Sequence, residues 1–333
     1  MGFPQQSIFA FNANIDHVKF SDESALAAID SQLPQLASQI SDSFSWGVQK
    51  EITIDVKVCE WLLANIKFDS QIVGGQAGNA AQQASALGVQ CFLHSNFANP
   101  SLAKLFSHKG KVFFAEESGF VPAASVSSTV KSAHHFVFEN RENATRFIAS
   151  YDPLPLHPED NFCRHIDSKL AGISKAFVGG LHLVQRPDRM RKFLSEMKRW
   201  KEINPGLKIF LEMGQFQSQE VLDAARAEVL PFVDMVGLND TELAQLGCEL
   251  EELASEVQSL LFHSPGKQQV LPENKSSPAA LEYARRCASF LAEKGAHATQ
   301  QDLAGYESRS VEAPVRTIGL GDAFSCAYFM AAD

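Results

Sequence analysis

From residue 175 onward, short apolar runs alternate with stretches of helical period, a pattern that folds as a parallel sheet covered by helices. Strand-like residues 175–178, 208–212 and 234–238 alternate with helical stretches at 187–204, 218–227 and 240–246. Each return to a parallel neighbour needs a crossover, and the helix supplies it. Further up the chain, Ser7 to Phe11 (SIFAF) reads as a buried strand that opens abruptly onto polar residues 12–16. Residues 70–73 run into a glycine turn at 74–79, and the small residues Ala80, Ala81, Ala84 and Ala86 after it let a helix lie close to a sheet. Residues 90–94, 260–264 and 268–271 read as strands, 278–294 as a helix and 323–330 as a last helix. Residues 21–66 are mostly helical, whereas 111–115, 134–139 and 145–149 are β-rich with no helix between them, which predicts a separate small sheet.

With 333 residues there is room for two or three units, or for one large α/β domain with an appendage. Hydrophobic residues at 45% and charged residues at 20% exclude global disorder and fibrous repeats. A formal net charge of −10 argues against nucleic acid or an anionic membrane as partner. The six cysteines, at 59, 91, 163, 248, 287 and 326, show no CxxC spacing and read as reduced thiols. Met1 to Gln6 lack a basic leader and no run approaches the ~18 apolar residues of a membrane span, so the cytoplasm is the expected location.

Four motifs carry chemistry. Gly319-Leu320-Gly321-Asp322 opens the last helix, where exposed backbone N–H groups and the helix dipole favour an anion. An aspartate there can accept the proton of an attacking hydroxyl while the N–H groups stabilise a transferring phosphate; read alone, the motif favours the plainer reading of a glycine turn with Asp322 as N-cap. Asn239-Asp240-Thr241-Glu242 follows an apolar strand, and Glu212 ends the strand before it. Carboxylates at neighbouring strand ends suit hydrated Mg²⁺, though a capping arrangement at Asn239 or Asp240 accounts for the same residues. Gly74-Gly75-Gln76-Ala77-Gly78-Asn79 fails as a dinucleotide fingerprint but can admit a polar substrate, with Gln76 and Asn79 as hydrogen-bonding groups. In Asn12-x-Asn14-x-Asp16, alternate polar side chains on extended backbone suit sugar hydroxyls. For these last two motifs a plain turn is the alternative.

In this order the motifs resemble the ribokinase-like (PfkB) carbohydrate kinase superfamily: an early GG-x-x-x-N, a middle N-x-x-E and a late G-x-G-D. The details, including Asn143-Ala144-Thr145-Arg146-Phe147-Ile148, are most similar to the ADP-dependent glucokinases and phosphofructokinases. The resemblance implies an α/β fold: a doubly wound, mainly parallel sheet in residues 1–16, 67–110 and 160–333, and a small β-rich lid from about 17–66 and 111–159. It implies an Mg²⁺-dependent sugar kinase using ADP, with the ATP-dependent kinases and a catalytically inactive binding homologue as alternatives. Asp322 would be the general base, with Gly319 and Gly321 shaping the anion hole. Asn14, Asp16, Gly75, Gln76, Gly78, Arg146 and His135 would bind the sugar or sugar phosphate. Asn239, His263, Gly319 and Leu320 would meet ADP or ATP, and Glu212 and Glu242 would serve the metal. Arg141, Arg186 and Lys267 are further candidate phosphate partners, and His134 an alternative to His135. Phe210 stands where the family's H-x-E has histidine, and Asp240 where glutamate usually follows the asparagine. The expected assembly is a monomer or small homo-oligomer.

Overall fold

The computed structural model describes residues 2–332 except Ser21, Arg141, Asn143, Ala144, Pro265 and Ala313. The expected parallel sheet forms first from β1 (Gln6–Ala10), which takes β10 (Lys175–Val178) on one side and β5 (Gln90–Leu93) on the other, both parallel. Beyond β10 lie β11 (Lys208–Glu212), β12 (Met235–Leu238) and β13 (Leu260–His263), all parallel, with β14 (Gln268–Leu271) antiparallel at that edge. Beyond β5 lie β6 (Val112–Glu116), parallel, and β7 (Gly119–Pro122), antiparallel. The order is therefore β14-β13-β12-β11-β10-β1-β5-β6-β7.

Both faces of this sheet are covered, which is why its strands are nearly continuous apolar runs. Ile8, Val178, Ile209, Leu211, Val236 and Leu260 pack under helices such as Pro187–Ile203. Phe9, Leu93, Phe177, Phe210 and Leu261 pack on the other side, under α4 (Gln76–Ala86) and the helices Pro278–Lys294 and Leu320–Ala331. Residues 77–86 of α4 are all buried, and alanines at 77, 80, 81 and 84 pack into the large sheet's core, as their small size predicts.

The second sheet has the order β3-β9-β8-β2-β4, from β2 (Asn14–Phe20), β3 (Lys50–Thr53), β4 (Ser70–Gly74), β8 (His134–Asn140) and β9 (Thr145–Tyr151). Phe136, Phe138, Phe147 and Ala149 point to one face and are covered by α1 (Glu23–Gln32), α2 (Pro34–Trp46) and α3 (Val56–Asn65). Alternation puts Asp16, Val18, His135, Val137, Glu139, Arg146 and Ile148 on the opposite face, which looks toward the large sheet.

Two expected boundaries are corrected. Residues 111–122, read as part of the small sheet, join the large sheet instead, with β6 on β5 and β7 on β6, because Val112 and Phe114 continue the large sheet's core. Residues 70–74, read with the large unit, pair antiparallel with β2 in the small one. Among the described residues no helix is long and apolar enough to cross a membrane.

Candidate active site

Open α/β sheets bind ligands at the carboxyl ends of their strands where the strand order reverses, here between β1 and β10. The chain leaves β1 through Asn12 and enters the small sheet at Asn14, so one polar segment joins the two units. Gly75 adopts φ 77°, and a Cβ there would stand 2.7 Å from the Asn12 carbonyl oxygen and 2.8 Å from Asn14 Oδ1. Only glycine fits that backbone and that approach. Gly78, in the first turn of α4, donates its N–H to the Asn12 carbonyl at 3.1 Å. Gln76 is not a free sugar ligand as expected: Nε2 donates to the Met213 carbonyl, and Oε1 accepts from the Gly180 N–H at 2.6 Å. Its amide braces α4 against the ends of β10 and β11.

On the small sheet, Asn14 Nδ2 donates to Asp16 Oδ1 at 2.6 Å, while the buried Asn14 Oδ1 has no partner among the described residues. Burial pushes the Asp16 carboxyl up to about 6, against the pull of His135, Asn14 and Arg316. His135 lies beside Asp16 in register, and its Nε2 is 3.2 Å from Asp152 Oδ1. Burial opposes a charge there, yet Asp152, with Glu51 and Asp16, raises the imidazole to about 9 and holds it as a cation at neutral pH. His134 turns the other way and pairs with His17 at 2.8 Å. Arg146 shares the Asp16 face and donates to Gln49 Oε1 at 3.1 Å.

The last helix begins at Leu320, three residues earlier than the sequence reading, with Gly319 as N-cap at φ 75°. Asp322 is thus inside the first turn and is not the cap. Its Oδ2 accepts from Asn79 Nδ2 at 3.0 Å. Burial, then the charge of Glu212, pushes the Asp322 carboxyl up to about 7; Asn79, His263 and Arg146 oppose the shift. A Cβ on Gly319 would stand 2.7 Å from Asn79 Cγ, and one on Gly321 3.1 Å from His263 Cε1. Half-buried Leu320 lies between these two glycines.

Glu212 is 3% exposed; its Oε1 is 2.8 Å from His263 Nε2, and its Oε2 has no partner among the described residues. The imidazole beside this carboxylate therefore comes from β13, not from position 210. Phe210 lies in the core, its ring 5.0 Å from Phe177 and 5.2 Å from Phe329. Asn239 caps the helix Asp240–Leu246, accepting from Thr241 and Glu242 N–H at 2.9 and 3.1 Å, and its own N–H donates to Glu242 Oε2 at 2.8 Å. Burial and the neighbouring Glu212 push Glu242 up to about 7. Asp240 is exposed, whereas Glu212, Glu242 and His263 are buried. Among the described residues no group of three or more histidines, cysteines or carboxylates is arranged to hold a metal unaided.

Several residues entered the site without a sequence assignment. Arg316 Nη2 donates to Asn79 Oδ1 at 3.1 Å, and Thr317 Oγ1 donates to Glu139 Oε1 at 2.7 Å. Ile318 packs on Val18 and Val137 of the small sheet. Asn79 was visible as the last position of the glycine motif; Arg316 and Glu139 carry no motif that marks them. Arg186 pairs with exposed Asp188, and Lys267 lies over the Phe262 ring, so neither joins the cluster. Arg141, Asn143 and Ala144 lie outside the described residues.

The class is set by the fold: a ribokinase-like α/β architecture, shared with an adenosine kinase from Sinorhizobium meliloti at TM-score 0.57 and 19% identity, over 81% of this chain and 77% of that one. The match is closer to a crystal structure of a hypothetical ADP-dependent phosphofructokinase from Pyrococcus horikoshii, with TM-score 0.80, 18% identity and coverage of 99% and 98%. An ADP-dependent kinase in complex with fructose-6-phosphate and ADPβS superposes with TM-score 0.80 at 18% identity over 98% and 93%. Residues 6–277 match the conserved region of the ADP-specific phosphofructokinases and glucokinases, and the chain belongs to that family. The ADP-specific phosphofructokinase of Pyrococcus horikoshii is 21% identical over 287 residues, covering 71% of this chain and 63% of the relative. The chain thus spans less than two thirds of that relative's length.

Proposed function

We propose that this chain transfers the terminal phosphoryl group of ADP to a hydroxyl of an uncharged hexose, with Asp322 as general base. The observation that carries the reading is the placement of Asp322: a half-buried carboxylate in the first turn of the last helix, hydrogen-bonded to Asn79 and in the fields of Glu212 and His263, with a proton affinity near neutrality. A base is most effective when its pKa lies near the working pH, and the free N–H groups of the same turn receive the phosphate. Family membership supports ADP as donor. Asn14 and Asp16 would hold the acceptor so that the attacking hydroxyl faces Asp322, and the orphaned Asn14 Oδ1 supplies an acceptor for a sugar O–H. The small sheet acts as a lid that excludes water from the transfer.

Glu212 and Glu242 fit a hydrated Mg²⁺: one buried Glu212 oxygen lacks a partner, and Mg²⁺ takes few direct protein ligands. When bound, the ion neutralises charge on the transferring phosphoryl group. His263 keeps the other Glu212 oxygen fixed.

The preference for an uncharged sugar rests on the far end of the acceptor site. A cavity of about 140 Å³ beside Asp152 has apolar walls that include Phe97, Leu156 and Leu183, its polar lining includes Glu51, Ser150, Asp152, Gln185 and Gln217, and no lysine or arginine lines it. Arg146 and Arg316 lie at the other end, within the fields of Asp16 and Asp322. A phosphate there would meet Glu51 and Asp152, with only the His135 cation, already paired with Asp152, to offset them, whereas hydroxyls find hydrogen-bond acceptors.

The test is product formation with Mg²⁺ and a panel of hexoses, hexose phosphates and nucleosides, each with ADP and with ATP. Turnover of an unphosphorylated hexose with ADP, releasing AMP, is expected. Turnover with ATP alone would move the donor to the alternative branch. Binding without turnover would identify an inactive homologue.

A further inference from the structure

The early glycine motif and the late helix-opening motif interlock through two side chains that the proposed reaction leaves without a role. Asn79 and Asp322 are 243 positions apart in sequence, yet share a hydrogen bond of 3.0 Å. Behind Asn79 stands Arg316, with Nη2 3.1 Å from Asn79 Oδ1 and Nε 2.9 Å from the Ile318 carbonyl oxygen. We infer that Arg316 and Asn79 form a positioning relay that fixes the orientation of the Asp322 carboxylate; the inference rests on Asp322 acting as the base.

The argument begins with the chemistry of a carboxamide. Its two ends are nearly identical in shape and opposite in hydrogen-bonding character. Facing a carboxylate, the NH₂ end makes a charge-assisted hydrogen bond, whereas the carbonyl end sets oxygen against oxygen. Against a protonated Asp322 that preference is lost, because the acid O–H can donate to the amide oxygen. Arg316 decides, because guanidinium has only donors and its partner must be the amide oxygen. With Oδ1 held by Arg316, Nδ2 is turned onto Asp322.

The relay is anchored at both ends. Nε of Arg316 holds the loop carbonyl immediately before Gly319, so the same guanidinium orients Asn79 and the entry to the last helix. Gly319 has no side chain where a Cβ would meet the Asn79 amide at 2.7 Å. The other charged groups whose fields reach Asp322 come from different elements: Glu212 from β11, His263 from β13, Arg146 from β9 and Glu242 from the helix after β12. Among all of these groups, Asn79 alone has a hydrogen bond to Asp322 on the described residues' contacts.

The test uses the full chain and three variants. Asn79→Leu keeps the side-chain volume and removes the donor; Arg316→Met keeps the aliphatic stem and removes the orienting group; Arg316→Lys returns one donor. A hydrogen bond to a charged group corresponds to roughly 10- to 100-fold in rate. Asn79→Leu is expected to lower kcat by that factor and Arg316→Met by about tenfold, with KM for hexose and ADP unchanged and with Arg316→Lys recovering most of the loss. A merely structural role would instead lower the melting temperature of both variants without this split or this rescue. Normal kcat in Asn79→Leu and Arg316→Met would overturn the relay while leaving the kinase reading intact. Should the wild-type chain turn over no acceptor, that reading falls, and the relay is judged by the Asn79 side-chain amide signals in a ¹⁵N NMR spectrum. These must move in both Arg316→Met and Asp322→Asn; signals that stay in place overturn it.

Discussion

The carboxyl edge of the large sheet and the inner face of the small sheet build their halves of the site by different rules. A parallel sheet offers one group per strand end: Glu212 from β11, Asn239 after β12 and His263 from β13. These converge with Glu242 and Asp322 into an acid-rich cluster with one imidazole, and burial among like charges holds Glu242 and Asp322 near 7. The small sheet offers alternate residues of several strands on one face, so Asp16, His135, Glu139 and Arg146 interleave both signs of charge. There His135 is held protonated, at about 9. Convergence of one sign tunes a group toward proton exchange, while a carboxylate next to an imidazole, as at Asp152 and His135, keeps that imidazole charged.

The largest expected effect breaks the acid-rich edge at its centre. Asp322→Asn is expected to lower kcat by roughly 10²–10⁴-fold, the usual worth of a general base, with sugar affinity by calorimetry unchanged. In the wild type, kcat should fall as pH drops through about 7, where Asp322 takes up its proton. Stability has the opposite sign. Folding raises this carboxyl from 3.8 to about 7, so the folded state loses stability as pH rises through that interval. Thermal unfolding should therefore show Asp322→Asn melting above wild type at pH 8 and level with it near pH 4; equal melting at both would show that the buried charge carries no penalty.

Beneath that edge, Phe210→Ala should cost about 3–5 kcal/mol in urea denaturation, since the ring is fully buried between two others. A loss under about 1 kcal/mol would place the ring outside the core. The small-sheet side is sharpened by Glu51→Gln, which removes one of the two carboxylates at the far end of the cavity. Discrimination against phosphorylated hexoses, measured as a ratio of kcat/KM, should fall by about tenfold. The smallest effect concerns the seam between the halves. Thr317→Val loses the 2.7 Å hydrogen bond to Glu139 and should raise KM for hexose about 3- to 10-fold with kcat kept, by favouring separation of the two units.

Legibility in the sequence followed the range of the interactions. The capping box at Asn239 and Glu242, the helix Pro278–Lys294 and the βα alternation rest on contacts a few residues apart, and each was readable as a pattern. Asp322 was readable because the glycines beside it mark a helix start. The start itself was misplaced by three residues, since Gly319 and Gly321 read as turn residues. Gly319 does turn the chain, at φ 75°, but what the sequence does not show is the close approach of Asn79 to Gly319 and of His263 to Gly321, both distant in sequence. Gln76 next to two glycines has the composition of a ligand, and only the meeting of α4 with the ends of β10 and β11 makes it a brace.

Strand partners show the same limit. Val112–Glu116 and His134–Asn140 have similar β-rich composition, but one extends the large sheet and the other lies at the middle of the small one. Strand propensity states that a segment is extended and carries no information about its neighbour, which nonlocal packing selects. Local patterning was therefore enough for the α/β class, the helix starts that carry caps and the placing of Asp322 beside a helix N-terminus. Which imidazole accompanies Glu212, which amide faces Asp322 and which residues form the acid-lined end of the cavity depend on side chains brought together from different strands. Burial then sets their charge, and burial exists only once the two sheets have closed on each other.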